Sequence, residues 1–329
     1  MREGEPKIIE PYQVKPKLFG ERAERVQKAE YDFIIEELRD ILSGNFHKIQ
    51  PAEQLEDKES FGDIDIICLP KGTINEFYFR EILGLRLMEY SHNAHVHSTL
   101  IRLKSEKQIH VDFIQSKNET DFDRKYMYYS KGHVSSMIGM LAKKLNFKYG
   151  TEGFFKRFQD KKGNLHDILI SENLREGLSV IGLDAKELNE IHKIDDIAKF
   201  ISHSPLFDNK YFISENMNRR DRDSIKRNKT EDYLVQEIRK VNKTRLIADE
   251  DELFKKLFPA QFKHFVEESE RINSETYKTG AINGEMIMKI FEIKPGPAVG
   301  KILKFIGDNY PNAEALSEDI IAAVKSKAL

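Results

Sequence analysis

The sequence predicts an α+β fold for the first third of the chain and an all-helical region at its end. Three observations carry that reading. Apolar residues at helical spacing come first. The run DIDIICL (63–69) then alternates and turns wholly apolar, as a buried strand does, and two more strand-like runs follow across a four-residue connection. From residue 230 onward the spacing is helical, broken only at Pro259, over 280–284 and at Pro295-Gly296-Pro297.

Taken in order, residues 1–19 are charged and proline-rich and read as an extended arm. Over 20–42 the positions Val26, Ala29, Phe33, Ile34, Leu38, Ile41 and Leu42 recur at three and four, which predicts one amphipathic helix. A polar stretch leads to the 63–69 strand, and 75–90 again has helical spacing. HVHSTLIRL (95–103) and QIHVDFIQ (108–115) read as two strands joined like a hairpin through 104–107. VSSMIGMLAKKL (134–145) is helical, short strands and turns fit 147–182, and 194–201 is a short amphipathic helix. NRRDRDSIKRNK (218–229) is nearly all polar and fits a linker or an exposed helical turn. Boundaries near 120 and near 210 divide the chain into an arm (1–19), an α+β domain (20–120), a small subdomain (121–210) and a helical C-terminal domain (211–329).

Composition narrows the partners. The 329 residues are 40% hydrophobic and 33% charged, enough for more than one real core. Lys and Arg number 53 against 55 Asp and Glu, so any nucleic-acid contact must come from local basic patches. The single cysteine, Cys68, excludes an internal disulfide and a four-cysteine zinc site, and its apolar neighbours mark it as a small buried hydrophobe. The N-terminus lacks the apolar segment of a signal peptide, and no run reaches the length of a membrane span. A cytoplasmic location and no membrane partner are the expectation; the oligomeric state is open.

The chemistry concentrates in carboxylates. Asp63 and Asp65 sit two apart at the start of an apolar strand, so both point to one face with Cα atoms roughly 6.5 Å apart. Carboxylates held so close repel unless a cation lies between them, and hard oxygen ligands favour Mg²⁺. Asp112 adds a third acid in the middle of the later ribbon, with His110 on its face. Gly62 lets the backbone approach a phosphate closely. Three acids on neighbouring strands are what a two-metal phosphoryl-transfer site requires.

With these residues in place, the chain resembles the DNA polymerase β-like nucleotidyltransferases, and more closely the X family of DNA polymerases. ESFGDID (59–65) is similar to that family's first metal motif and QIHVD (108–112) to its third-carboxylate strand. Tyr128-Tyr129-Ser130 looks like the segment beside the incoming sugar, and 134–144 like the helix that follows. EIHKIDDIAKFISHS (190–204) is similar to the end of the thumb, so the likeness runs over about 20–207. It implies a nucleotidyltransferase palm with a thumb-like subdomain, two Mg²⁺ ions (or Mn²⁺) on Asp63, Asp65 and Asp112, and a nucleotide site at Ser60, Gly62, Tyr128, Tyr129 and Ser130. It also implies transfer of a nucleoside monophosphate from an NTP or dNTP to a 3′ hydroxyl of DNA or RNA, releasing pyrophosphate. His110 stands where the family usually has an arginine that orients the third carboxylate. Ordinary half-buried packing is the other reading of the two tyrosines.

The chain departs from the family in one place. Members carry Gly-Ser about ten residues before the acidic pair to hold the triphosphate, whereas PAEQLED (51–57) has neither and is acidic. Lys58, Ser60, Arg102 and Lys131 are the candidate substitutes. At the other end, INGEMIMKIFEIKPGPAVGKILKFI (282–306) resembles a C-terminal segment of CCA-adding tRNA nucleotidyltransferases. There the second helix's N-terminus, with Gly296 and Gly300, could hold a nucleic-acid phosphate; a packing unit is the alternative. Arg219, Arg220 and Arg227 belong to a basic run that reads as a solvated helix face or a phosphate-tracking patch. His92, His95 and His97 read as hairpin histidines rather than zinc ligands, with His95 and His97 sharing a face. Two other functions stay open: nucleotidyl transfer to a protein or small molecule, and a catalytically degenerate palm that only binds nucleic acid.

Overall fold

The computed structural model describes residues 18–42, 44–247, 249–278, 282–310, 313 and 316–327. Nearly all of the expected arm therefore lies outside the described residues; of its end, Phe19 is buried. The chain forms two compact units, Met1–Phe154 with Ser171–Leu257, and Phe155–Ile170 with Phe258–Leu329. The sequence boundaries near 120 and 210 thus both fall inside the first unit.

The first unit is built on a mixed five-stranded sheet, as an α+β domain requires. Its strands are β2 (Phe46–Pro51), β4 (Ile64–Pro70), β5 (Leu87–Asn93), β6 (Val96–Arg102) and β7 (Gln108–Gln115), in the spatial order β2-β4-β7-β6-β5. The β4–β7 pair is parallel and the other three are antiparallel. Parallel neighbours need a crossover, and here α2 (Glu76–Leu83) together with the β5–β6 hairpin supplies it.

One face of this sheet carries the main core. Ile64, Ile66 and Cys68 of β4 and Ile109, Val111 and Phe113 of β7 pack there with α1 (Lys28–Leu42) and α2. Residues of opposite parity, Ile67 and Leu69 on β4 and Ile114 on β7, meet Ala52, Phe122, Tyr126 and Tyr129 in a smaller cluster under α3 (Glu119–Tyr129). Burial pushes the Cys68 thiol up, consistent with an inert core residue.

Several expected elements change at their edges. The helix read over 20–42 begins only at Lys28, because Val26 and Gln27 form a short strand β1 paired with β3 (Ser60–Phe61). Phe33 is exposed: the buried stripe runs Ile34, Leu38, Leu42, and Phe33 lies about 100° round from it. The helix read over 75–90 stops early, since Asn75 caps it and Gly84 at φ 55° ends it, freeing 87–93 to become the edge strand β5. Strand β2 was hidden in the polar stretch, where pairing to β4 rather than alternation defines it. Tyr128 and Tyr129 end a helix instead of sitting in a strand or turn.

The rest of the first unit is largely helical. It includes α4 (Val134–Lys144), α5 (Leu174–Val180), α6 (Ile194–His203), α7 (Arg219–Arg227), α8 (Lys229–Lys240) and α9 (Glu250–Leu257). Strand β8 (Phe147–Gly150) of this unit, and strands β9 (Gly153–Gln159) and β10 (Leu165–Ser171), most of whose residues belong to the second unit, fall where short strands were expected. The polar run 218–229 is helix α7, capped by Asn218 and tied to α4 by the Lys143–Asp221 ion pair. In the second unit, α10 (Pro259–Lys278) leads to α11 (Gly284–Phe291), α12 (Pro297–Asn309) and α13 (Glu318–Lys327), whose core is Ile282, Ile287, Ile302, Ile306, Ile320 and Val324. Among the described residues no helix is long and apolar enough to cross a membrane.

Candidate active site

Two carboxylates lie on the sheet face opposite the main core, beside the α3 cluster, and a third lies just before β4. Asp65 and Asp112 are direct register partners on the parallel strands β4 and β7. Asp65 shares its side of β4 with Ile67, and Asp112 its side of β7 with Ile114, so both acids point to the α3 side. Asp63 lies in the bend just before β4 and is exposed. Its charge nonetheless reaches Asp65: burial, then Asp63, then Asp112 push the Asp65 carboxyl up to about 7, against the pull of Lys58 and His110.

His110 supports the third acid. Its Nε2 pairs with Asp112 Oδ1 at 2.9 Å, and the Phe19 ring packs edge-on against the imidazole at 4.9 Å between centroids. Burial works against charge on this ring, but Asp112, Asp63 and Asp65 together hold its pKa above the usual range. His110 thus gives Asp112 a donating, positively biased neighbour.

Acceptor-only carboxylates of this kind suit a hard divalent cation such as Mg²⁺ or Mn²⁺. Among the described residues no three His, Cys, Asp or Glu side chains already converge into a metal-ligating group. The backbone brings the acids to one place, and side-chain rotation would be needed to close them round an ion.

The other expected site residues fall in several environments. Tyr129 packs beside the carboxylates; burial and then Asp65 raise its phenol, and its hydroxyl pairs with His95 Nε2 at 3.1 Å. Tyr128 meets Tyr129 edge-on at 5.3 Å and stacks on Tyr149 at 5.5 Å; burial raises its phenol and nearby Arg220 pulls it back. Ser130 is a buried cap whose Oγ accepts from the Glu53 amide, so it serves the backbone. Gly62 is exposed, and Ser60 Oγ accepts from Arg25 at 2.9 and 3.1 Å. Arg219, Arg220 and Arg227 line a shallow depression on α7 with Asp223. Gly296 and Gly300 lie at the start of α12 in the second unit, where an added Cβ on Gly300 would meet nothing within 4 Å.

Within the histidine trio the His92 and His97 rings stack at 4.5 Å between centroids, while His95 turns to a different partner. His95 lies before β6, after a turn at Ala94 (φ 55°), and reaches Tyr129 of α3. His97 is buried with both nitrogens engaged, by Tyr90 Oη at 2.8 Å and Gln115 Oε1 at 3.0 Å.

Two residues at the site escaped the sequence. Arg25 was read as part of a helix, and only the long-range β1–β3 pairing brings it to Ser60. Tyr31 lies on the buried side of α1 with its ring 4.4 Å from Phe61 and its hydroxyl buried. Burial and then Asp65 push that hydroxyl up to about 12. No local signal in the sequence marks either residue. In comparison with known proteins, the chain matches no family model and no curated relative.

Proposed function

We propose that this protein is a divalent-metal-dependent nucleotidyltransferase of the polymerase β type. It would move a nucleoside monophosphate from an NTP or dNTP to a 3′ hydroxyl of DNA or RNA. The observation that supports this best is the in-register pairing of Asp65 with Asp112 on parallel neighbouring strands, with Asp63 two residues before Asp65. In this reading the mixed sheet is the palm, and the helices after it form the thumb-like part.

Asp63, Asp65 and Asp112 would hold the ions, and bound Mg²⁺ supplies Lewis-acid stabilisation of the phosphoryl oxygens and a more acidic acceptor hydroxyl. The acceptor oxygen bonds the α-phosphorus, the bond to the bridging oxygen breaks, and pyrophosphate departs with that electron pair. The hydroxyl proton passes to solvent. His110 holds Asp112 in place during this exchange, as a positioning residue. Tyr129, beside the acids, borders the space for the sugar. Tyr128 continues from it toward Arg220, which gives an acceptor strand a route from the carboxylates to the basic face of α7.

The test is extension of labelled DNA and RNA primers with each nucleotide in Mg²⁺, with pyrophosphate release followed in parallel. Extension lost in Asp65→Asn is the expected result. Pyrophosphate release without primer extension points to a protein or small-molecule acceptor. No release with any acceptor or nucleotide overturns the proposal and leaves a binding palm.

A further inference from the structure

The segment that lacks Gly-Ser is a scaffold in the fold rather than a phosphate loop. Its acids are turned to neighbours. Glu53 pairs with Lys131 at 3.2 Å, Glu56 with His192 at 3.3 Å, and Asp57 accepts from the Ile194 amide at 3.0 Å. Two of the candidate cations are also out of reach. Lys131 Nζ is buried and donates to the carbonyls of Leu188 and Ile191. Arg102 pairs in register with Gln108, four residues along the sheet from the Asp112 rung and so about 13 Å away.

Two other cations take the place beside the acidic pair. The β1–β3 register, Val26↔Phe61 and Gln27↔Ser60, lays Arg25 across the turn that leads to Asp63. The guanidinium is held by Ser60 through Nε and Nη2, and its Nη1 lies 3.2 Å from where a side chain on Gly62 would begin. Lys58 sits on the other flank of that turn, its Nζ 4.7 Å over the Phe61 ring and 2.9 Å from Gln54 Oε1. Lys58 interacts with Asp63 and Asp65 on one side and is repelled by Arg25 on the other, which puts all four groups in one neighbourhood.

We propose that Arg25 and Lys58, displayed on either side of Ser60-Phe61-Gly62, form the polyphosphate clamp of this site. The ligand class is a nucleoside triphosphate held through its β and γ phosphates. Arg25 is already oriented by Ser60, so its remaining donors are preorganised for phosphate oxygens. Gly62, with no side chain, leaves room for the Arg25 guanidinium against the turn. This inference rests on the nucleotidyl-transfer reading and names the residues that replace the Gly-Ser motif.

The probes are Mg²⁺ with ATP, with inorganic tripolyphosphate and with adenosine, titrated calorimetrically into the full chain. Arg25→Gln and Lys58→Met should each weaken ATP and tripolyphosphate binding by about tenfold to a hundredfold. Adenosine binding and the thermal unfolding midpoint should not move. Arg25→Lys keeps the charge and should recover part of the loss, which a merely structural role at Ser60 would not produce. Arg102→Ala should bind tripolyphosphate like the parent. If the parent protein binds neither ATP nor tripolyphosphate, nucleotidyl transfer itself fails and the clamp with it. If the parent binds both and the Arg25 and Lys58 variants bind equally well, the clamp alone is wrong.

Discussion

Asp65 is the residue on which the site turns. It sits half-buried near two other carboxylates, and Lys58 and His110 oppose the resulting repulsion. Removing one charge should therefore cost function and not folding. Asp63→Asn, Asp65→Asn and Asp112→Asn should each cut turnover by at least about a hundredfold in saturating Mg²⁺. Thermal melts give the complementary readout. Added Mg²⁺ should raise the parent's midpoint by a few degrees, roughly as expected for ligand linkage, while Asp65→Asn should melt no lower than the metal-free parent and gain nothing from the ion. A single variant retaining near-full activity would remove that acid from the site.

At the scale of elements, a second buried carboxylate joins α7 and α8 to α4 beside the Lys143–Asp221 ion pair. Glu231 accepts from Ser136 Oγ at 2.8 Å and Ser224 Oγ at 2.6 Å, with His133 Nδ1 at 3.6 Å. Burial opposes its charge, but His133 and the two serines prevail and bring its pKa from 4.5 down to about 2. A carboxylate depressed on folding stabilises above its unfolded pKa and loses that contribution as pH falls through the folded one. The stabilisation, about 3 kcal/mol, should be complete above pH 4.5 and disappear on the way to pH 2. Urea midpoints of the parent and Glu231→Gln should thus converge as pH falls from 6 toward 3, in about that window. Equal pH slopes in the two proteins would show that the network does not stabilise the helix contact. The start of α12 makes a contrasting case. Gly300→Ala adds a methyl group to a helix where nothing lies within 4 Å, so it should raise stability by about 0.5–1 kcal/mol. A several-fold rise in the Michaelis constant for a nucleic-acid acceptor, in that stabler variant, would place the acceptor on this turn. An unchanged constant would make the turn a packing element.

For the whole molecule, a net charge of -2 is a poor match to a polyanionic acceptor until the charge is located. Arg219, Arg220 and Arg227 are gathered on one short helix of the first unit. Affinity for a nucleic acid should therefore fall steeply with salt despite the net negative charge. Charge reversal at these three positions should flatten the plot of log affinity against log salt by about two or more. A slope near zero in the parent would favour a protein or small-molecule acceptor.

The residue sequence by itself determined the α+β class, the strands that carry Asp65 and Asp112, and the helices it placed over 134–145 and 194–201, found at Val134–Lys144 and Ile194–His203. These follow from side-chain periodicity, which is local: strand alternation puts Asp65 beside Ile67, and Asp112 beside Ile114, whatever else the chain does. Tertiary structure alone decided what depends on pairing between distant segments. Ser60 meets Arg25 because β1 and β3 pair, Phe19 backs His110, and the acids of 51–57 are engaged by residues up to 137 positions away. Asp65 and Asp112 could be read as acids on strands. That those strands are parallel neighbours in register is a property of the folded sheet, where hydrogen bonds between strands, not spacing within them, set which carboxylates meet.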